Sequence, residues 1–442
     1  MSTTKIIYSL NVDKTYIENT PGIKEKIYDT LSQSYVILSS SEMGENNEQD
    51  YHSVILEHPS RRVLSFAPPK NIESSNDMDF QLFFGKSEGK SQENPIDSIY
   101  INEFVEGTFI HLFYDTRISC WEIATKRAIG GKYSYFHIPE QQNMTYREMI
   151  MTAFRESIDT PLNELPFLEY LPKNHCYSFV LQHPANHIVI PIHTPKMYLV
   201  SVHEINDEND TATFVSPLEY QYWSIFDNLR DGIIYFPKQY IIDNSNSNPD
   251  LDEKITEYIK LIQMYASVHT PYHQMGLMFT NLNTGKRCSI INPNYAEMCK
   301  IRGNHTNIHY QYLCLRRINK VMEFLNHFPQ YKSIFFGYKE QYETFINNIH
   351  ESYISYYVKK SGKFISKKYF SIIYAIHHSI FLPSVKSSLQ NGITDKIIIK
   401  RSVIKEYINQ LDPGKILYTL NYERFSKNTT SDDPSKGINL WD

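Results

Sequence analysis

The spacing of apolar residues divides the chain into three stretches. The first hundred residues are mixed. "PGIKEKIYDTLSQS" predicts a short helix with Pro21 near its start, whereas "SYVILSS", "SVILEH" and "RVLSFAPP" predict strands, the last stopped by Pro68 and Pro69. "KNIESSND" and "GKSEGKSQENP" read as surface loops. From Glu103 the pattern becomes strand-like. In "EFVEGTFIHLFYD", Phe109, His111 and Phe113 alternate with Ile110, Leu112 and Tyr114, so both faces of this strand are expected to be buried. "YDTRIS" turns the chain into "CWEIATKRAI", which completes a hairpin. "MTYREMIMTAFRES" predicts a helix, with Thr145 and Glu148 as a capping box and Met149, Ile150 and Phe154 on one side. "CYSFVLQHP", "HIVIPI" and "KMYLVSVHEI" predict three further strands, and "NDENDTA" a loop. "SNSNPDLDEKITEYIKLIQMYASV" begins as a linker and becomes a helix capped by Asp250 with Glu253. "MGLMFTNLNTGKRCSII" predicts a hairpin whose turn, Asn283-Thr284-Gly285, supplies the positive-φ residue it needs.

Beyond Asn304 the period becomes helical. "HYQYLCLRRINKVMEFLNHF" predicts one helix through Leu313, Ile318, Val321, Phe324 and Leu325, ended by Pro329. "YKEQYETFINNIHESYISYYVKK", "KKYFSIIYAIHHSIF" and "RSVIKEYINQL" predict three more. The tail from Ser426 is polar and expected to be loose. The expected class is therefore α+β: antiparallel sheets with helices over residues 1–304, an all-α domain over 305–425, and a loose tail over 426–442.

Composition narrows the function classes. No run of about 18 apolar residues exists, and no membrane partner is expected. The N-terminus, "MSTTKIIYSLNVDKTY", lacks the pattern of a secretory signal, so the protein is not expected to be secreted. Cys120, Cys176, Cys288, Cys299 and Cys314 form no CxxC pair, which predicts free thiols in a reducing compartment. The 17 histidines include no HExxH, and His377–His378 points two ways on a helix, so no metal site is expected. The 34 tyrosines and only 16 glycines, with abundant Ile, Asn, Lys and Phe, are what AT-rich codons encode. The net charge of -5 is uneven: from Ile301 onward 20 basic residues face 11 acidic ones, giving +9 there and −14 on the rest. A basic C-terminal third suits a polyanionic partner, and equally a solvated helical surface.

Five segments carry a resemblance, in chain order. "FVEGTF", "ATKRAI", "FVLQHPANHIV", "MGLMF" and "KRCSIINPNY" resemble the first, intermediate, third, fourth and fifth motifs of covalent nucleotidyltransferases, as these stand in the RNA ligase of T-even bacteriophages. The resemblance spans residues from about 50 to 304, with the motifs at 103–295 and residues 1–100 as an N-terminal part. It implies an ATP-grasp-like ligase domain followed by an added helical domain, as in RNA ligase-like proteins of large DNA viruses. In such enzymes a motif-one lysine attacks the α-phosphate of ATP, a fourth-motif glutamate holds the divalent cation, and fifth-motif lysines neutralise phosphate charge.

At the matching positions this chain departs from the pattern. The lysine position is Phe104, the third-motif glutamate position is Val180, the fourth-motif glutamate position is Met275, and the fifth-motif lysine positions are Ser289 and Ile291. Gly107, Pro184, Asn186, Gly276, Asn292, Pro293 and Tyr295 all match. No catalytic residue is expected. The resemblance thus implies a catalytically inactive RNA ligase-like viral protein that acts by binding nucleic acid or as a virion or assembly component. Expected partners are RNA or another nucleic acid, or viral structural proteins, in the host cytoplasm or the virion. The alternative is an active ATP-dependent ligase or nucleotidyltransferase using a displaced lysine, Lys126 or Lys132, with ATP and Mg as cofactors; otherwise no cofactor is expected. Candidate binding residues are Glu106, Lys126, Arg127, Lys286 and Arg287, with Arg316 and Arg317 in the helical part; Asp231 is a loose carboxylate candidate. Tyr353, Tyr356 and Tyr357 interleave with Lys359, Lys360, Lys363, Lys367 and Lys368, which suits base stacking, although packing in the helical core is the favoured role for these tyrosines.

Overall fold

The computed structural model describes residues 5–40, 50–73, 98–134, 143–186, 188–227, 229, 232–242, 251–303, 305–360, 366–390 and 398–423. The loop "GKSEGKSQENP", the cap Asp250, the carboxylate Asp231, Lys363 and the tail from Ser426 lie outside these residues.

The chain opens on β1 (Ile7–Ser9) and then makes an antiparallel meander, β2 (Ile23–Asp29), β3 (Ser34–Ser40), β4 (Val54–Glu57) and β5 (Val63–Phe66). The helix expected over residues 21–34 is strand β2, paired with β3 from Ile23↔Ser40 to Asp29↔Ser34. Its Lys24 and Lys26 are exposed, as suits an edge strand, and pairing with the buried β3 overrides a locally ambiguous pattern.

A second sheet holds β6 (Ile72–Glu73), β7 (Ile99–Glu103), β14 (Gly276–Asn281) and β15 (Arg287–Ile291) in the order β6-β15-β14-β7. The third sheet is the largest. With β8 (Thr108–Asp115), β9 (Cys120–Thr125), β10 (Ala128–Ile129), β11 (His175–Gln182), β12 (Lys196–Asn206) and β13 (Thr211–Val215), it runs β1-β13-β12-β11-β8-β9-β10, antiparallel throughout.

Strand β8 shows why this sheet is buried on both sides. Ile110 and Leu112 pack with Phe179, Leu181 and the helix Tyr146–Ala153, whereas Phe113 packs under the meander with Tyr35, Val36 and Ile37. His111 shares that second face and sits between the hydroxyls of Ser53 and Ser65, 2.9 Å from each. Burial pushes its pKa down to about 3, so it is a neutral core residue. The helix Tyr146–Ala153 starts on the expected capping box, with Thr145 and Glu148 bonded reciprocally.

The first compact unit ends at Arg302 and the second begins at Gly303. The second is helical. Its long helix, Lys332–Tyr353, packs against the helices Ile308–Arg317, Lys367–Ile376 and Arg401–Gln410. Glu343 pairs with both Arg401 and Lys405, the latter at 2.8 Å. The single helix expected through Ile318 is two, Ile308–Arg317 and Val321–His327. Asn319 adopts a left-handed φ of 57°, its N–H bonds to the Arg316 carbonyl, and the Lys320 N–H bonds to the Leu315 carbonyl. That is a Schellman cap, which asparagine enters at low steric cost.

Two glycines differ sharply in what surrounds them. A Cβ on Gly276, at φ 148°, would lie 2.1 Å from the Ile290 carbonyl oxygen, while one on Gly337 would meet nothing within 4 Å. Gly276→Ala is expected to lower the unfolding free energy by about 3 kcal/mol. Gly337→Ala, inside the long helix, is expected to raise it by up to about 1 kcal/mol. Urea unfolding of the two variants measures both signs.

Candidate functional site

Strand β7 belongs to one sheet and β8 to another, so residues 104–107 are the crossover between them. The crossover lies in the floor of a cavity of about 220 Å³. One wall comes from the four-stranded sheet, through Tyr100, Asn102, Met278, Thr280 and Arg287; the other face of that sheet is covered by Tyr240 and Tyr258. The opposite wall comes from the seven-stranded sheet, through Phe109, Val180, Val200 and Phe214. Val200 reaches the cavity at a bulge: Ser178 pairs with Ser201 and Phe179 with Leu199, leaving Val200 unpaired.

The crossover is tied to its surroundings by the residues that match the motif pattern. Gly107 passes so close to β11 that a Cβ there would lie 2.4 Å from the Leu181 carbonyl. Gln182 donates to the Glu106 carbonyl at 2.9 Å, and Asn186 donates to the Thr108 hydroxyl at 2.7 Å. The Asn292 amide bonds three carbonyls, those of Thr270, Pro271 and Gln274, and its backbone N–H donates to Met275, fixing the approach to β14. Pro293 then opens the helix Pro293–Arg302, which places Tyr295 beside Glu106.

Glu106 is buried. Its carboxylate accepts from the backbone N–H groups of Ile188, Val189 and Ile190 at 3.1–3.3 Å and from the Tyr295 hydroxyl. Burial raises its pKa, and these donors oppose the rise. This corrects two expectations. Glu106 is not a free binding group, because its oxygens face the protein's own amides. "HIVIPI" is not a strand, because three consecutive N–H groups turn toward one anion, whereas those of a strand alternate.

Of the five altered positions, Phe104, Val180 and Met275 line the cavity. Ser289 and Ile291 do not line it, although Ser289 pairs with the lining residue Met278 and accepts a hydrogen bond from Asn71, another lining residue. Ile291 pairs with Gly276 and packs with Met275 and Ile188.

Among the candidate cations, Lys126 and Arg287 line the cavity, and neither forms an ion pair among the described residues. Lys126 stands in the turn between β9 and β10. Its Nζ is 2.5 Å from His52 Nε2 and 5.8 Å from the centre of the Phe109 ring. The His52 Nδ1 lies 3.1 Å from the Pro68 carbonyl, so Nδ1 carries the proton and Nε2 accepts from the lysine. Burial, then Lys126, push the His52 pKa to about 3. Burial, then the charges of Arg287, Arg127 and Lys70, push the Lys126 pKa down to about 8. Burial also lowers the Arg287 pKa. Arg127, Lys132 and Lys286 are exposed and do not line the cavity, so Lys132 is not a displaced lysine within it. Arg316 and Arg317 belong to the second unit, where Arg316 lies 3.5 Å over the Tyr342 ring and Arg317 is exposed.

His52, Asn71, Glu103 and Tyr220 also line the cavity and carry no motif signal. The Glu103 carboxylate accepts from the Lys238 backbone N–H, and burial raises its pKa. The arrangement is therefore an apolar floor with two cations of one sign held close together, which favours an anion between them.

No known family profile matches the chain. It is similar to immediate-early protein ICP-46 homologues of two invertebrate iridescent viruses: 22% identical over 251 residues to that of virus 3, and 23% over 375 residues to that of virus 6. These matches cover 56% and 82% of this chain, and 47% and 76% of the relatives, so the chain spans about half the length of the first. It is also 28% identical over 110 residues to an RNA ligase of Rhodothermus phage RM378, covering 24% of this chain and 23% of the ligase. Solved structures with a distant likeness include an archaeal ATP-dependent RNA ligase (10% identity, TM-score 0.37, 89% of this chain and 84% of that one). Another is a putative ATP-dependent DNA ligase from Aquifex aeolicus (9%, TM-score 0.37, 74% and 71%). The relatives by sequence are thus viral proteins and a phage RNA ligase, the two kinds toward which the motifs pointed.

An amine-reactive label followed by peptide mass analysis reports the Lys126 environment. Its modification is expected to rise with a midpoint near pH 8, against roughly 10.4 for an ordinary lysine. Arg287→Ala removes a like charge and is expected to move that midpoint upward.

Proposed function

We propose that this is an RNA ligase-like protein without nucleotidyl-transfer chemistry, which acts by binding nucleic acid in a viral context. One observation carries the reading: Phe104, Val180 and Met275 line the cavity where the resembled motifs have a lysine and two glutamates. Burying apolar side chains there is consistent with a cleft that no longer receives a metal-bound triphosphate, since unpaired charges in the same place would be costly. The residues present fit ATP and a divalent cation poorly. Glu106 is engaged by protein amides, and the cavity of about 220 Å³ is below the roughly 300–1,000 Å³ of ordinary ligand pockets. What remains suits phosphate: Lys126 and Arg287 present positive charge to an anion at the cleft.

A second reading has one specific observation in its favour. Lys126 lines the same cavity with a pKa of about 8, so a useful fraction of its amine is neutral near physiological pH. In that reading Lys126 replaces the missing motif-one lysine.

The experiment is incubation of the full chain with α-labelled ATP or GTP and Mg²⁺ or Mn²⁺, followed by a denaturing gel. No covalent nucleotide adduct is expected. An acid-labile adduct that disappears in Lys126→Ala would establish the second reading instead.

A further inference from the structure

The helical unit carries an aromatic surface that its own core does not use. Two π-helical turns lie there: Ile354–Val358, continuing the helix Lys332–Tyr353, and His377–Phe381, continuing the helix Lys367–Ile376. They face one another. Tyr357 stacks on His377 with ring centres 3.7 Å apart and planes within 9°, and the Tyr353 hydroxyl lies 3.1 Å from His377 Nδ1. Such turns are rare in helices and concentrate at functional sites.

Around this contact the rings close into a circuit. Tyr356 meets Tyr357 edge-on at 4.8 Å and Phe370 at 6.1 Å. Phe370 and Tyr374 stack at 6.3 Å, and Tyr374 lies 4.0 Å from His378, which meets His377 at 5.6 Å. The same helices give Tyr353, Ile372, Ile373 and Ile376 to the core, with exposures from 0% to 8%. The outer rings are different: Tyr356 is 44% exposed, Phe370 44% and Tyr374 50%. Core packing therefore accounts for Tyr353 and not for Tyr356.

The charge of this region has one sign. From Ser352 to Thr394 the sequence holds six lysines and no Asp or Glu. Lys359, Lys360 and Lys367 are exposed and form no ion pair among the described residues. Lys368 is set apart, because its Nζ donates to the Leu420 carbonyl. Flat exposed rings beside unpaired lysines match a chain that alternates phosphates with unstacked bases. A duplex offers the phosphates but keeps its base faces covered.

We propose that this face of the helical unit binds a single-stranded polynucleotide, with bases stacked on Tyr356, Phe370 and Tyr374 and phosphates on Lys359, Lys360 and Lys367. The proposal names a surface for the nucleic-acid binding proposed above, and it stands on the second unit alone, independent of the cleft.

The test is fluorescence anisotropy of the full chain with a labelled 20-nucleotide oligouridylate and with an RNA duplex of equal length, each over a salt series. The single strand is expected to bind more tightly. Tyr374→Ala and Phe370→Ala are each expected to weaken it about five- to fifty-fold, while Tyr374→Phe retains binding. Replacing Lys359 and Lys360 together by alanine should reduce the slope of log affinity against log salt by roughly one. Circular dichroism of each variant separates lost binding from lost folding. Unchanged affinity in folded Tyr374→Ala and Phe370→Ala overturns the proposal. So does binding lost only in Arg287→Ala, which would place the strand at the cleft and leave the proposed function standing. Binding to phosphatidylserine vesicles with none to the oligonucleotide would overturn both.

Discussion

The cleft depends on one buried carboxylate. Glu106 gathers the N–H groups of three consecutive residues, 188–190, and the hydroxyl of Tyr295. Those donors come from separate parts of the chain: the crossover between two sheets, the segment after β11, and the helix after β15. Without an anion at residue 106, three amides would be left facing one another in a buried site, each costing about 1–3 kcal/mol. The carboxylate therefore holds the two sheets in register around the cavity, and the same engagement removes it from any role toward a ligand.

This separates frame from chemistry. The residues that match the motif pattern, Gly107, Asn186, Gly276, Asn292 and Tyr295, each make a close approach or a hydrogen bond that shapes the crossover or the approach to β14. The positions that depart from it, Phe104, Val180 and Met275, point apolar atoms into the cavity. A frame of this kind persists under packing constraints even where reactive groups are replaced. The lone lysine of the cavity, Lys126, keeps a lowered pKa because it shares a confined space with Arg287, an electrostatic consequence of the same geometry.

Much of this was legible in the sequence where local signals were strong. The β8–β9 hairpin, the capping box at Thr145 and Glu148, the β14–β15 hairpin with Gly285 in its turn, and the placing of Lys126 and Arg287 beside Phe104 all follow from alternation, caps and motif order. The errors arose where a distant partner decided the outcome. Residues 23–29 pair with β3, and 188–190 bend to a carboxylate more than eighty residues away. Asn319 broke a helix whose apolar period runs on through it. His52, Asn71 and Tyr220 reach the cavity from elements that carry no motif, so only the folded arrangement shows them. In the helical unit the period was clear, but the insertion of two π turns, and the exposure that follows for Tyr356, Phe370 and Tyr374, left no mark on it.

The central claim is that the cleft keeps the frame of a nucleotidyltransferase with its metal- and nucleotide-directed groups replaced or engaged elsewhere. Calorimetric titration of the full chain with ATP, in the presence and absence of Mn²⁺, tests it most directly. The account predicts that Mn²⁺ leaves the affinity for ATP unchanged, since the cleft's motif carboxylate already serves the fold. ATP binding tightened about tenfold or more by Mn²⁺, about 1.4 kcal/mol, and lost when Glu106 is replaced by glutamine in a protein that still folds, would contradict it.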